Sequence, residues 1–186
     1  GTNPSKIYLH TYLSATLAFI HLLSGELHQA FQETQRMQTL AGKAINFNTE
    51  AWVAYFFAYV HLQNWDLVDA IPHFEFAAGQ QYAMDTEAVI DALAGLALTQ
   101  QLLGRETEAT QTVNHLYEII QDLNASQFLP VAQSCQARIS LLRGDLKAAL
   151  ELAKSEFKTP LPAELFLWLE VPAITQARVL IAAGTQ

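Results

Sequence analysis

The sequence predicts an all-α fold, built as a linear array of antiparallel helix hairpins. A turn-forming anchor recurs about every 40 residues, at Gly25, Trp65, Gly104, Gly144 and Gly184. Each anchor has an alanine seven residues before it, and the first four have another five residues after it. Because self-similarity at a period of roughly 20–50 residues is typical of stacked repeats, we expect a helical solenoid over residues 1–186, as a single domain.

The first two hairpins are predicted from start and stop signals around the first two anchors. The first covers about residues 5–43 and the second about residues 48–80. Asp66 directly follows the second anchor, where it can cap the return helix. Pro72 lies about two turns into that helix, where the missing N–H should kink the helix or delay its start.

The third and fourth hairpins are predicted at about residues 85–124 and 127–157. Asp145 is placed to cap the second helix of the fourth hairpin. A partial fifth repeat covers residues 163–186, with a short helix up to Leu169 before the final helix. The final helix keeps an apolar face, whereas a natural array ends in a polar cap. We therefore expect more protein to follow it.

Composition argues against a disordered chain and against a membrane span. Hydrophobic residues make up 51% of the sequence and charged residues 15%, unlike the apolar-poor composition of disordered chains. Apolar residues recur at helical spacing, and no run approaches the roughly 18 residues that a membrane helix needs. Cys135 is the single cysteine, which excludes a disulfide framework and a thiolate metal cluster and predicts a cytoplasmic location.

The charge distribution argues against direct nucleic-acid binding by this segment. The net charge is −8, and no lysine or arginine occurs between Lys43 and Arg105, where seven acidic residues lie. Such a surface repels phosphate backbones. A solvated acidic face is the simpler interpretation, and a docking surface for a basic partner is the alternative.

Small residues on both sides of the inter-helix turn resemble the tetratricopeptide pattern, although the period is near 40 rather than about 34 residues. A more specific resemblance covers Ala137–Ala153 and the stretch Trp-Leu-Glu-Val-Pro-Ala-Ile-Thr-Gln-Ala-Arg-Val-Leu-Ile-Ala-Ala-Gly at residues 168–184. These segments resemble the superhelical repeat domain of MalT-like regulators, the large ATP-binding members of the LuxR-type transcription factors.

The resemblance implies a right-handed superhelical sensor domain that takes up an inducer or a regulatory protein and so relieves autoinhibition. In that family a nucleotide-binding switch module precedes the repeats, and a helix-turn-helix domain follows them. This sequence contains neither a Gly-x-x-x-x-Gly-Lys-Ser/Thr motif nor a recognition helix. We expect those functions elsewhere in a longer protein, of which this sequence, beginning at Gly1, is a part.

In the tetratricopeptide register, the first helix of each hairpin lines a concave surface. Seven positions on it carry aromatic, amide or guanidinium groups: Tyr12, Trp52, Tyr55, Tyr59, Gln101, Arg138 and Arg178. The aromatic rings and the two arginines would suit a ligand with an apolar or sugar-like face and an anionic end. Two simpler interpretations stay open: the aromatics are core between hairpins, and the arginines pair with acids such as Glu170.

No constellation of residues predicts catalysis, a metal site or a cofactor. The sequence contains six histidines: His10, His21, His28, His61, His73 and His115. His21 and His28 lie two turns apart, and neither has a cysteine or carboxylate at a recognised metal-ligand spacing. His21 and His61 occupy equivalent repeat positions, and we expect them to stack between neighbouring helices. Cys135 follows Ser134 in mid-helix without a His and Asp partner nearby in sequence.

The predicted function is sensing or protein interaction within a bacterial MalT-like regulator, with a protein or small-molecule inducer as partner. The alternative is a stand-alone adaptor that holds a peptide or a partner protein in its groove. The flanking domains discriminate the two, since only the regulator needs a nucleotide module and a helix-turn-helix. A repeat-fold enzyme is a third interpretation, and it lacks a convincing set of acid and base groups.

Overall fold

The computed structural model describes residues 4–42, 47–154 and 168–184. Helix accounts for 82% of them, and no strand occurs within these ranges, so the all-α class is confirmed. The helices are α1 (Pro4–Leu23), α2 (Leu27–Ala41), α3 (Phe47–Gln63), α4 (Leu67–Ala78), α5 (Thr86–Leu102), α6 (Glu106–Asp122), α7 (Leu129–Leu142), α8 (Leu146–Lys154) and α9 (Pro172–Ala182), with a short 3-10 helix at Ser126–Phe128. Among these helices, none combines the length and the apolar character that a membrane crossing requires.

The anchors predicted from the repeat are the turns between paired helices. All five have φ between 67° and 79°: Gly25, Trp65, Gly104 and Gly144, and Gly184 after α9. A β-carbon disfavours this left-handed region, which explains why glycine predominates there. In each turn between paired helices the N–H after the anchor donates to the carbonyl five residues earlier, as from Asp145 to Ser140 at 2.9 Å. This Schellman closure satisfies a carbonyl that the end of a helix leaves free.

Residues 1–89 form one compact unit, which contains α1 to α4. In it α2 packs against both α1 and α3, α3 packs against α4, and α1 packs against α3. The repeat alanines of this unit are fully buried: Ala18, Ala30, Ala58 and Ala70. Because a methyl side chain takes little space, the helices approach closely at these positions.

Residues 90–186 form a second compact unit. In it α7 packs against α6, α8 and α9, and α8 also packs against α9. The repeat alanines are again fully buried: Ala97, Ala109, Ala137 and Ala149. The fifth alanine of the first column, Ala177, is exposed, as are Ile174 and Ile181 on the same helix.

The residues predicted to cap or interrupt helices behave only partly as expected. Asp145 caps α8 as predicted, since the Ala148 N–H donates to its Oδ1 at 3.0 Å. The prediction for Asp66 is wrong: it makes no capping hydrogen bond, and its Oδ2 lies instead 3.6 Å from His61 Nδ1. Pro72 lies inside α4 and does not delay its start, because the helix begins five residues earlier.

The short helix predicted before α9 falls mostly on residues 163–167, which lie outside the described residues. Trp168 and Leu169, at its predicted end, are not helical. The chain enters α9 through an extended residue, Val171, at φ −111° and ψ 112°. Pro172 occupies the first turn of α9, where no N–H donor is needed.

Candidate functional site

A groove of about 630 Å³ lies between α1 and α3, the first helices of the first two hairpins. Five aromatic side chains line it: Tyr8, Tyr12, Phe19, Trp52 and Phe56. Its polar lining comes from Thr11, Thr16, Asn48, Thr49 and Asp85. The volume falls within the range of about 300–1,000 Å³ that is typical of small-molecule sites, which are mostly apolar with a few polar groups.

The two tyrosines of α1 are the accessible rings of this aromatic groove. Tyr8 is 69% exposed and Tyr12 is 63% exposed, and they lie about one helical turn apart. On α3, the partly buried Trp52 packs edge-on to Tyr55, at a centroid distance of 5.6 Å, and against Phe56 at 5.7 Å. These contacts hold the α3 side in place, while the α1 side offers ring faces and phenol hydroxyls to a ligand.

The aromatic groove contains hydrogen-bond acceptors in addition to the phenol hydroxyls of its tyrosines. The hydroxyls of Thr11 and Thr16 already donate to the carbonyl oxygens of Ile7 and Tyr12, at 2.9 and 3.0 Å. Their remaining lone pairs and the carboxylate of Asp85 can accept hydrogen bonds. A ligand with hydroxyl or amide donors beside an apolar face would match this lining.

Of the four aromatic residues predicted to line a concave surface, two lie in the aromatic groove and two lie in the core. Tyr12 and Trp52 lie in the aromatic groove. Tyr55 and Tyr59 are buried, which is the alternative that the sequence left open, and so they support the groove from within the core. Sequence reasoning missed Tyr8. Its position four residues before Tyr12 places both on one helix face, which is the signal that could have found it.

In the second unit, a buried carboxylate organises a polar cluster. Glu170 lies in the segment before α9 and has no exposed surface. Its Oε1 accepts hydrogen bonds from Ser134 Oγ, at 2.5 Å, and from Thr175 Oγ1, and its Oε2 accepts one from Arg138 Nη1 at 3.0 Å. Both oxygens are therefore satisfied, as a charge removed from water requires. The carboxylate ties α7 to the start of α9.

Asp91 of α5 holds the same segment through its backbone. It is fully buried, and its Oδ1 accepts a hydrogen bond from the Leu169 N–H at 2.9 Å. Arg178 is exposed on α9, and partial desolvation and repulsion from Arg138 lower the pKa of its guanidinium, while attraction to Glu170 opposes this shift. Arg138, one of the two arginines predicted to line the concave surface, instead forms an ion pair with Glu170. This pairing is the simpler interpretation that the sequence analysis left open.

Gln101, also predicted to line the groove, is buried and already engaged. Its Oε1 accepts a hydrogen bond from Arg143 Nε at 2.7 Å. Arg143 Nη2 donates in addition to the Glu106 carbonyl at 2.7 Å and to Thr110 Oγ1 at 3.0 Å. The guanidinium therefore links α5, α6 and α7, and the amide of Gln101 is part of that link.

The thiol of Cys135 lies in the same polar region and is disfavoured as a nucleophile. Burial raises its pKa well above the ordinary value, Glu170 and Asp91 raise it further, and Arg138 opposes them. Its Sγ lies 3.8 Å from the carbonyl oxygen of Ala94. The thiol therefore stays protonated at neutral pH, whereas nucleophilic attack needs the thiolate.

Histidines at equivalent repeat positions lie near carboxylates at equivalent positions. His21 and His61 each place Nδ1 near the carboxylate five residues later, at 2.6 and 3.6 Å. His61 also stacks on His73 of α4, with centroids 5.6 Å apart, and lies 5.9 Å from the Phe31 ring of α2. The expected stacking between neighbouring helices is thus present at His61. The pKa of His73 is lowered by burial and by repulsion from His61, against attraction to Asp69.

Within the described ranges, no three His, Cys, Asp or Glu side chains come together in a way that could hold a metal ion. No protein-family model, curated protein or solved structure matches this chain.

Proposed function

We propose that this chain is a non-catalytic ligand- or protein-binding sensor domain of a bacterial MalT-like transcription regulator. Its hairpins would stack as a right-handed, tetratricopeptide-like superhelix. The observation that carries the proposal is the aromatic groove between α1 and α3, with its two accessible tyrosines. The left-handed turns and the buried alanine columns support the repeat, and the Ala137–Ala153 and 168–184 segments carry the resemblance to the family.

The lining of the aromatic groove narrows the class of inducer. Exposed phenol rings at Tyr8 and Tyr12 pack well against the apolar face of a sugar or against a flat organic molecule. Acceptors at Thr11, Thr16 and Asp85 suit hydroxyl donors, and a carboxylate disfavours an anion close to it. A neutral, hydroxyl-rich small molecule fits this lining better than a phosphorylated one.

In this proposal the domain works by shifting a conformational equilibrium. An inducer that binds the open form of the regulator more tightly than the closed form would move the population toward the open form. The nucleotide-binding module and the helix-turn-helix domain of the longer, cytoplasmic protein are its proposed partners in the same chain. The net charge of −8 disfavours direct nucleic-acid binding by this segment, because it repels phosphate groups.

A ligand screen with a matched pair of variants tests the proposal. Neutral oligosaccharides and other polyols are added to the purified chain, and the melting temperature and tryptophan fluorescence are recorded. Tyr12→Ala should weaken a ligand's affinity at least tenfold, because it removes an accessible ring of the groove. Tyr82→Ala serves as the control, since Tyr82 is 91% exposed and does not line the groove. A ligand whose affinity is equal in both variants would show that the aromatic groove is not its site.

An adaptor that binds a peptide is the second candidate, and the layout of α1 favours it. Tyr8, Tyr12 and Phe19 line the groove along one helix, over about 16 Å at 1.5 Å per residue. That length matches about five residues of an extended peptide. Affinity capture with the wild-type chain and with Tyr12→Ala, followed by peptide titration, distinguishes the two candidates: a peptide lost only with Tyr12→Ala would favour the adaptor.

A further inference from the structure

A second groove in the first unit lies between α1 and α2 and encloses about 810 Å³. Its apolar floor comes from Leu13 and Leu17 of α1, and polar side chains of α2, among them Glu33 and Arg36, form its other wall. It is distinct from the aromatic groove, which lies between α1 and α3. We call it the hairpin groove.

The residues of the hairpin groove recur one repeat later. Seven residues that line the hairpin groove each have a counterpart 40 positions later in the sequence. These seven counterparts line a smaller cavity, of about 450 Å³, on the second hairpin. Leu13 corresponds to Val53, and Glu33 corresponds to His73. The cavity on the second hairpin is also lined by the C-terminal end of α2, at residues 38–42. The hairpin groove is therefore the place on the first hairpin that α2 occupies on the second.

Contacts made by the residues eight positions before three of the later anchors, Trp65, Gly144 and Gly184, show what covers this face in those repeats. In α3 the ring of Phe57 lies 5.3 Å from that of Phe31 in α2. In α7 the equivalent residue, Gln136, accepts a hydrogen bond from the Tyr117 hydroxyl of α6 at 3.0 Å. In both cases the second helix of the preceding hairpin makes the contact.

The last repeat shows the same arrangement. In α9 the equivalent Gln176 donates its Nε2 to the carbonyl oxygen of Ala153 in α8, at 3.0 Å. Val179, one turn further on, is buried in a cluster with Ala149 and Ala153. On α3, α7 and α9, a preceding second helix therefore covers one and the same face.

On α1 this face is open. Three of its side chains are about half-exposed: Leu13 at 48%, Leu17 at 41% and Ile20 at 48%. Their counterparts on α3 are exposed by 5% or less: Val53, Phe57 and Val60. Covering three large aliphatic side chains removes apolar surface from water, which is the main driving force for helix packing.

The hairpin groove also contains an unsatisfied polar atom. Oε2 of Glu33 is buried without a hydrogen-bond partner, whereas its Oε1 accepts a hydrogen bond from Arg36 at 2.7 Å. A buried carboxylate oxygen gains from a donor. An occupant that brings an amide, hydroxyl or basic donor to this point would supply it.

We propose that the hairpin groove is the docking site for an amphipathic helix of the same kind as α2, namely the second helix of another hairpin of this repeat. The occupant presents a large apolar or aromatic residue in the position of Phe31 and a small residue about ten positions later, in the position of Ala41. A donor near Glu33 completes its hydrogen bonding. This inference is independent of the aromatic groove and goes beyond the proposed sensing function.

The probe is a synthetic peptide with the sequence of α2, Leu27–Ala41, in which His28→Glu and Gln32→Lys supply the carboxyl and amine of a helix-stabilising lactam bridge. The bridge is needed because an isolated helix of this length is only marginally stable in water. Both bridged side chains are exposed in α2. Binding of the labelled peptide to the complete chain is measured by fluorescence anisotropy, and a second peptide carries Phe31→Ala.

Protein variants then locate the binding site. Leu17→Glu, at the floor of the groove, should weaken binding at least tenfold, and the milder Leu13→Gln should weaken it severalfold. Leu23→Glu, at a 51% exposed position of α1 outside the groove, should leave the affinity within twofold. Circular dichroism confirms that each variant is folded. Tyr12→Ala should not change helix binding, which separates this site from the aromatic groove.

Saturable binding that is lost with Leu17→Glu and with the Phe31→Ala peptide supports the proposal. No saturable binding, or equal loss with Leu17→Glu and Leu23→Glu, overturns it.

Discussion

Replacing Glu170 with glutamine keeps the shape of the side chain and removes its charge. The carboxylate accepts hydrogen bonds from the buried hydroxyls of Ser134 and Thr175 and from the guanidinium of Arg138. A glutamine oxygen can still accept from both hydroxyls, but its NH₂ group then meets a guanidinium that can only donate. The variant loses one charge-assisted hydrogen bond and gains a contact between two donors.

The magnitude follows from these partners. A hydrogen bond to a charged group contributes about 1.5–3 kcal/mol, and Arg138 is 27% exposed, so water replaces part of the lost interaction. We expect Glu170→Gln to lower the free energy of unfolding by about 2 kcal/mol. Glu170→Ala also leaves two buried hydroxyls without an acceptor, at about 1–3 kcal/mol each, and should lower it by about 4 kcal/mol.

Urea unfolding measures these differences. Far-ultraviolet circular dichroism reports the helices, and tryptophan fluorescence adds a second probe, to which Trp168, with its ring 5.7 Å from that of Phe128, contributes together with Trp52 and Trp65. Glu151→Gln, on the exposed side of α8, is the matched control and should change stability by less than about 0.5 kcal/mol. A Glu170→Gln variant as stable as Glu151→Gln would refute the argument that this ion pair stabilises the second unit.

Three further predictions concern a turn and two titrating groups. Gly104→Ala adds a β-carbon at φ 76° in open space, so it should cost only the backbone strain of about 1–2 kcal/mol. Gly42→Ala, at φ −62°, should instead be neutral or stabilising by up to about 1 kcal/mol, and equal melting temperatures would contradict the left-handed turn. Burial and repulsion from His61 lower the pKa of His73, so its contribution to stability is complete above about pH 6.5 and is lost as the pH falls through the folded pKa. His73→Gln should therefore reduce the change in urea midpoint between pH 8 and pH 5, and an unchanged midpoint profile would count against this. Because burial raises the pKa of Cys135, a disulfide reagent should label its thiol no faster than the protein opens, and rapid labelling of the native chain would show an accessible thiolate.

The turns could be predicted from sequence because their cause is local. A left-handed residue closes the helix over only a few positions, and glycine is the residue that adopts this conformation most easily. Trp65 adopts it as well, and the repeat spacing, rather than the residue type, identified it. Asp66 shows the limit of local signals, because it directly precedes α4 and yet makes no capping hydrogen bond.

The aromatic groove could be predicted only in part. All side chains of α3 from Val53 to Val60 are buried. The sequence of this stretch therefore has no polar face from which the accessible side of the helix could be predicted. Trp52 and Tyr55, three residues apart, were therefore equivalent as candidates. Packing decided between them, since Tyr55 is fully buried while Trp52 borders the groove.

The sequence by itself determined the helices, their turns and the repeat, because each depends on residues within a few positions of one another. Only the tertiary structure decided that Glu170 meets Ser134 and Arg138, which lie 36 and 32 residues away in the chain. It also decided that Leu17 stays open while its counterpart Phe57 is covered. Such outcomes depend on which helix packs on which, and that choice is made by the burial of whole hairpin faces rather than by any local pattern.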